Sequence, residues 1–352
     1  MEPRRASSTY VAWIATSLMI GTAVLSSQIG AEAAYPGVNG RIAFVSYASG
    51  DAGIFTMQAD GTDVNSLVDG GWSPFWSPPS PDGSPPSPDG SKVAYTLGQD
   101  LLVVKVNPDG TADGEPVNLT HVTNASVLRG YASWSPDGTK LVYERWSDKN
   151  KFDIWVAEPN LETGDLENEV RLTNTRAWNR APAWSPDGNL IAFSSDRDGD
   201  SEIYVMPATG ESLDVTATQI TSNSVDDGTP DWSPDGAQIL LTRFQSRKGK
   251  VTNTDIYRVP SDPSDGSGTE VQLTMDAAPD FAADWSPDGQ LIAFVRGSGA
   301  AAEIYTMGAV QGEADDLTRL TENGYGDLAP DWQTVAAPPP PPTEPCLLDV
   351  CL

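Results

Sequence analysis

Residues 134–143 read WSPDGTKLVY, and the first five of them return as WSPDG at Trp184, Trp232 and Trp285. Ser-Pro-Asp-Gly suits a type I turn: serine at the first corner, proline with its preset φ at the second, aspartate at the third, and glycine closing. The strand that carries the tryptophan therefore folds back through a tight hairpin onto the next apolar run, here Lys140-Leu-Val-Tyr. A degenerate opening copy stands at Trp76-Ser77-Pro78, and a truncated last copy at Asp331-Trp332. The steps between successive tryptophans are 58, 50, 48, 53 and 47 residues. The long first step holds a local duplication, SPPSPDGSPPSPDG over residues 77–90; without it the period is near 50.

Each period holds four short apolar runs separated by turn residues, the pattern of a four-stranded antiparallel meander. The tryptophan strand comes first. The second strand is Arg41-Ile-Ala-Phe, Lys92-Val-Ala-Tyr, Lys140-Leu-Val-Tyr, Leu190-Ile-Ala-Phe, Gln238-Ile-Leu-Leu and Leu291-Ile-Ala-Phe. The third begins Gly53-Ile-Phe, Asp100-Leu-Leu, Asp153-Ile-Trp, Glu202-Ile-Tyr, Asp255-Ile-Tyr and Glu303-Ile-Tyr. The fourth ends in Leu-Thr or Ile-Thr at Leu119, Leu172, Ile220, Leu273 and Leu320, with Leu67 the weakest copy. The chain opens on a second strand at Gly40-Arg41 and closes on a tryptophan strand at Trp332. A three-stranded unit at one end and a lone strand at the other would each expose an apolar edge, so the simplest arrangement joins them in one sheet. The expected fold is all-β: a six-bladed β-propeller of four-stranded antiparallel blades over residues 40–334, closed by pairing the C-terminal tryptophan strand with the three N-terminal strands.

WSPDG, then IAF, then EIY, then LT, at this period, resembles the TolB-type (PD40, WD40-like) propeller repeat. WD40 itself fits less well, because its Gly-His and Trp-Asp pairs are absent and its period is shorter. The resemblance implies a binding platform in a secreted or periplasmic protein. TolB carries an α/β domain before its propeller; here strands begin within ten residues of the expected cleavage site, so engagement of the Tol translocation machinery is not implied.

Residues 1–33 read as a signal peptide: Arg4 and Arg5, the apolar stretch Val11 to Leu25, and the A-x-A pattern Ala31-Glu32-Ala33. The uncharged stretch is also long enough for a membrane anchor. Residues 335–352 form a proline-rich tail, expected to be disordered, with five prolines from Pro338 to Pro342 and the only cysteines, Cys346 and Cys351. In an oxidising compartment these two could form a local disulfide or an intermolecular link. The full chain carries 49 acidic and 21 basic side chains, a net charge of −28, which argues against a nucleic-acid partner. One histidine, His121, rules out multi-histidine metal sites and would have to serve any Ser-His-Asp triad alone. With no G-x-S-x-G element the chain reads as a non-enzyme, expected to be a monomer.

Three groups of residues invite a functional reading. Asp196, Asp198 and Asp200, followed by Glu202, alternate oxygen ligands as a calcium loop does; the same run also reads as a solvated turn. Asp231, Asp284 and Asp331 directly precede core tryptophans, so on inner strands they would form an acidic arc facing the channel, able to hold a cation or an amine. The alternative is that each bonds neighbouring backbone. Loops between strands two and three, and between strand four and the next tryptophan strand, emerge on one face. There Arg145, Trp146, Lys149 and Lys151 of blade three meet Arg176, Trp178 and Arg180 on the way into blade four, a basic aromatic patch of interface-type residues. Blade five adds Arg243, Arg247, Lys248 and Lys250. The leading expectation is a non-catalytic exported scaffold binding a protein or cell-envelope component through this face, with no cofactor unless calcium. The alternatives are a carbohydrate-active enzyme using channel carboxylates, with carbohydrate as ligand, and a structural surface protein.

Overall fold

The computed structural model describes residues 37–79, 90–121, 129–146, 151–208, 217–247, 250–262, 269–309 and 316–335. The segment expected to be a signal peptide lies outside the described residues, as does the expected tail after Val335; Val335 itself belongs to the last strand. Among the described residues, twenty-four strands form six four-stranded antiparallel sheets. Blade two runs β4 (Trp72–Trp76), β5 (Lys92–Leu97), β6 (Asp100–Lys105), β7 (Val117–Asn118). Blade three is β8 (Arg129–Trp134), β9 (Leu141–Trp146), β10 (Phe152–Asn160) and β11 (Asp165–Arg171). Blade four is β12 (Asn179–Trp184), β13 (Leu190–Ser195), β14 (Glu202–Pro207) and β15 (Thr218–Gln219). Blade five is β16 (Asp226–Trp232), β17 (Gln238–Arg247), β18 (Lys250–Pro260) and β19 (Val271–Gln272). Blade six is β20 (Asp280–Trp285), β21 (Leu291–Arg296), β22 (Glu303–Gly308) and β23 (Thr318–Arg319).

Blade one closes the ring as expected. Its order is β24 (Asp327–Val335), β1 (Val38–Ser46), β2 (Gly53–Met57), β3 (Asn65–Val68), so the last strand becomes the innermost strand of the first sheet. Ile42 pairs with Trp332 and Val38 with Val335. The six tryptophan strands each touch the next around the ring, including β20 to β24 and β24 to β4, so no inner edge stays open.

The SPDG segments turn as their residue types dictate. Gly138, Gly188, Gly236 and Gly289 sit at φ between 67° and 77°, and each donates its amide to the carbonyl of the turn serine at 2.8–2.9 Å. The serine hydroxyl also accepts the amide of the first residue after the hairpin, as in Lys140 N to Ser135 Oγ at 2.9 Å. Each tryptophan then packs against the preceding blade. Trp184 lies with Val142 and Ile154 of blade three, Trp232 with Ile203 of blade four, and Trp332 with Ile304 of blade six. The core is thus a set of six seams.

The fourth strands end earlier than the sequence pattern suggests. Five of them stop at the residue just before the Leu-Thr or Ile-Thr pair, because the threonine side chain replaces the ladder. Its hydroxyl accepts the amide of the isoleucine in strand three that follows the recurrent acid, at 2.9–3.0 Å for Ile154, Ile203, Ile256 and Ile304. The same hydroxyl donates to that acid, as in Thr173 to Asp153 and Thr321 to Glu303. This explains the recurrent acid before Ile-Tyr.

Candidate functional site

Alternation along β9 divides the basic aromatic patch. Trp146 faces Phe152 across the ladder and Arg145 faces Asp153, so the two neighbours leave opposite sides of blade three. Trp146 points into the seam with blade four. There its ring lies 5.1 Å from Phe152 and 5.4 Å from Trp178, both edge to face. Arg180 stacks its guanidinium 4.6 Å over Phe152 and 4.7 Å over Trp178. Lys151 lies 4.7 Å over Trp178, with Asp196 at 3.9 Å. Arg176, on the entry to β12, is exposed. Arg145 instead covers Trp155 on the other side of the blade and pairs with Glu169, which Tyr143 also engages. Lys149 lies outside the described residues. The structure therefore gathers Trp146, Lys151, Trp178 and Arg180 around Phe152, and separates Arg145 from them.

Of the blade-five cations, Arg243 does not extend this surface. Arg243 is buried in a fork to Asp227, at 2.7 Å from both oxygens, and reaches Glu270 at 2.6 and 2.8 Å. Its two carboxylate partners hold the guanidinium's proton more firmly than usual despite burial. Arg247, Lys248 and Lys250 have side chains outside the described residues.

The carboxyls of the expected acidic arc are tied to the backbone. Asp231, Asp284 and Asp331 are buried, and each accepts the amide of the next tryptophan around the ring: Trp285 at 2.8 Å, Trp332 at 2.8 Å and Trp76 at 2.7 Å. Ser133 does the same for Trp184 at 3.1 Å. Burial raises the carboxyls of Asp284 and Asp331 well above the usual range; the neighbouring negative charges of Asp231 and Asp331 raise Asp284 further. The arc is therefore an inter-blade latch.

The three residues of the calcium reading hold separate partners. Asp196 accepts the Trp178 amide at 2.6 Å and sits beside Lys151, and Asp198 accepts from Gln219 at 2.6 Å. Asp200 acts on Glu202, whose carboxyl burial raises to about 7, against hydrogen bonds from Thr221 and Asn223 and with help from the charges of Asp227 and Asp200. Among the described residues, no three His, Cys, Asp or Glu side chains are arranged to hold a metal ion. His121 is exposed, with its ring nitrogen 2.9 Å from the Gly164 carbonyl.

Sequence reasoning missed the buried acid Glu144. Glu144 lies between the inner strands of blades three and four, accepting the Ala181 amide at 3.1 Å. A side chain at Gly130 would put its Cβ 2.2 Å from a Glu144 carboxylate oxygen, so the glycine makes room for the acid. Burial pushes Glu144 up to about 7, opposed by the Arg180 charge and the Ala181 hydrogen bond. Beside it, burial and the Glu144 charge hold the Tyr131 hydroxyl far above its ordinary value. The signal was present: glutamate replaces the Ser, Thr or Val of other blades at this position. Its burial depends on a bulge that recurs in the inner strands. Ser73, Ala181, Thr229, Ala282 and Ala329, three residues before their tryptophans, all have φ between 46° and 52°.

Residues 109–336 match the family model described as the TolB beta propeller domain. An uncharacterized protein of Agrobacterium fabrum, Atu1656, is 30% identical over 170 residues, 46% of this chain and 53% of that protein. The uncharacterized peptidase YuxL of Bacillus subtilis is 31% identical over 115 residues, 31% of this chain and 16% of its own length. The chain thus spans about half or less of these curated relatives. Among solved structures, TolB from Acinetobacter baumannii superposes with a TM-score of 0.60 at 20% identity, covering 84% of this chain and 66% of that one. The putative TolB from Agrobacterium tumefaciens gives 0.54 at 20% identity, covering 85% and 93%. A puromycin hydrolase gives 0.52 at 15% identity, covering 86% and 57%. At these identities the likeness is one of fold.

Proposed function

The chain belongs to the TolB beta propeller domain family, and from that premise we propose that it is an exported, non-catalytic scaffold binding a protein or envelope component through its loop face. The observation that carries this reading is the cluster at the seam of blades three and four. Trp146 and Trp178 are only part-buried there, and they stand beside Lys151 and Arg180, with Arg176 exposed two residues before Trp178, on a chain whose net charge is −28. Tryptophan and arginine are the side chains that most often carry interface energy. The channel carboxylates support a non-catalytic role, since each spends an oxygen on a backbone amide. A carbohydrate-active site would need such acids free to meet substrate.

The test is capture from an envelope extract of the source cells, comparing the wild-type chain with Trp146→Ala/Trp178→Ala. The expected result is a defined partner lost from the double variant and retained by Arg145→Ala, whose side chain leaves the other side of the blade. Full capture by the double variant, with its fold verified by circular dichroism, would remove this surface from the function.

A further inference from the structure

We infer that the blade three–four seam recognises an acidic peptide segment of its partner, with Arg180 as the anchoring cation; this deepens the scaffold reading and rests on it. Lys151 and Arg180 lie over Trp178, and Arg180 also covers Phe152, while Trp146 meets both rings edge-on. With cations over them, these rings are poorly placed to stack on a sugar. What the surface offers instead is cationic heads held on a rigid frame, with Asp196 3.9 Å from Lys151 as the nearby carboxylate.

A guanidinium that stacks on rings keeps its N–H fork in its own plane, the geometry that matches a carboxylate. Arg180 is thereby oriented in advance, and less conformational entropy is lost when it meets an anion. Arg176 stands exposed on the connection leading into β12, four residues before Arg180. The chain's overall charge does not oppose a short ligand. At physiological ionic strength electrostatic reach is about 8 Å, so a short acidic segment senses the local cations rather than the whole −28, whereas a long polyanion would meet the surrounding carboxylates.

Glu144 supplies an internal control. Its carboxylate acts on Arg180 from the buried side, and it is faced there by the Ala181 amide of β12 and by Tyr131 of β8. An ionised Glu144 competes with a ligand carboxylate for the same guanidinium. Replacing it by glutamine keeps an acceptor for the Ala181 amide and removes the competing charge.

The experiment is fluorescence anisotropy of a labelled twelve-residue Glu/Ser peptide titrated with the full chain at pH 8, with a Lys/Ser peptide alongside. Binding of the acidic peptide alone is expected, weakening about tenfold in Arg180→Gln and in Arg176→Gln, as losing a charge-assisted contact does. Arg145→Gln should leave it unchanged, and Glu144→Gln should tighten it severalfold. Equal affinity for the two peptides, or equal losses in Arg180→Gln and Arg145→Gln, would overturn the inference. Should Arg180→Gln fail to fold, the opposite shifts expected of Arg176→Gln and Glu144→Gln decide the matter. If the acidic peptide does not bind while partner capture still depends on Trp146 and Trp178, the acidic-segment inference falls and the scaffold reading stands.

Discussion

At the scale of single residues, the position before each core tryptophan is the most instructive. Asp231, Asp284 and Asp331 clip one blade to the next through a tryptophan amide, yet they crowd three buried carboxyls together. Burial raises Asp284 and Asp331 in the folded state, and the charges of Asp231 and Asp331 raise Asp284 further, so there they hold protons at pH values where the unfolded chain has released them. Stability from this source is complete below the ordinary carboxyl range and declines as pH climbs through the raised values. Asp284→Asn keeps an acceptor for the Trp332 amide without the charge. Urea unfolding should therefore show it more stable than wild type at pH 8 by about 1 kcal/mol, with the gain shrinking at pH 5. A variant equally destabilised at both pH values would show that the carboxylate itself is needed. Sequence placed these acids on inner strands correctly, because their offset from tryptophan is fixed. Which of the two readings held could not be read there, since it depends on the amide of a tryptophan about fifty residues further on.

At the scale of the element, the Leu-Thr or Ile-Thr pair shows a side chain taking over from a strand. Thr321 accepts the Ile304 amide at 2.9 Å and donates to Glu303 at 2.7 Å, all within buried surroundings. Thr321→Val preserves shape and removes both contacts, leaving a buried amide and a buried carboxylate without this partner. A loss of about 1–3 kcal/mol in urea midpoint experiments is expected, mostly recovered in Thr321→Ser. An unchanged midpoint would mean that the amide finds another acceptor. The pair was legible as a marker and misread as a strand end, because side-chain to backbone substitution leaves no trace in hydrophobic periodicity. The divided patch teaches the same lesson. Arg145 and Trp146 are neighbours in sequence, and the pleat of β9 sends them into different seams.

At the scale of the whole molecule, closure is the feature on which stability turns. β24 contributes the inner strand of blade one, buries Trp332 against blade six, and carries Asp331 to the Trp76 amide. A chain ending at Gly326 would expose the inner edge of β1 and both flanking seams. Its thermal unfolding should lose the single cooperative transition of the full chain; a truncated protein with the native melting temperature would exclude the closure. Six copies of one four-stranded pattern, with a second strand first and a tryptophan strand last, were enough to specify blade number, strand order and the closing pair, because turn chemistry and period-two burial are local and repeat. Tertiary structure alone decided which charged side chains meet: Arg180 on the rings of Phe152 and Trp178, Arg243 buried in Asp227 and Glu270, and Glu144 in the space above Gly130. Those encounters arise between blades, where the packing of one sheet on the next fixes distances that no single repeat contains.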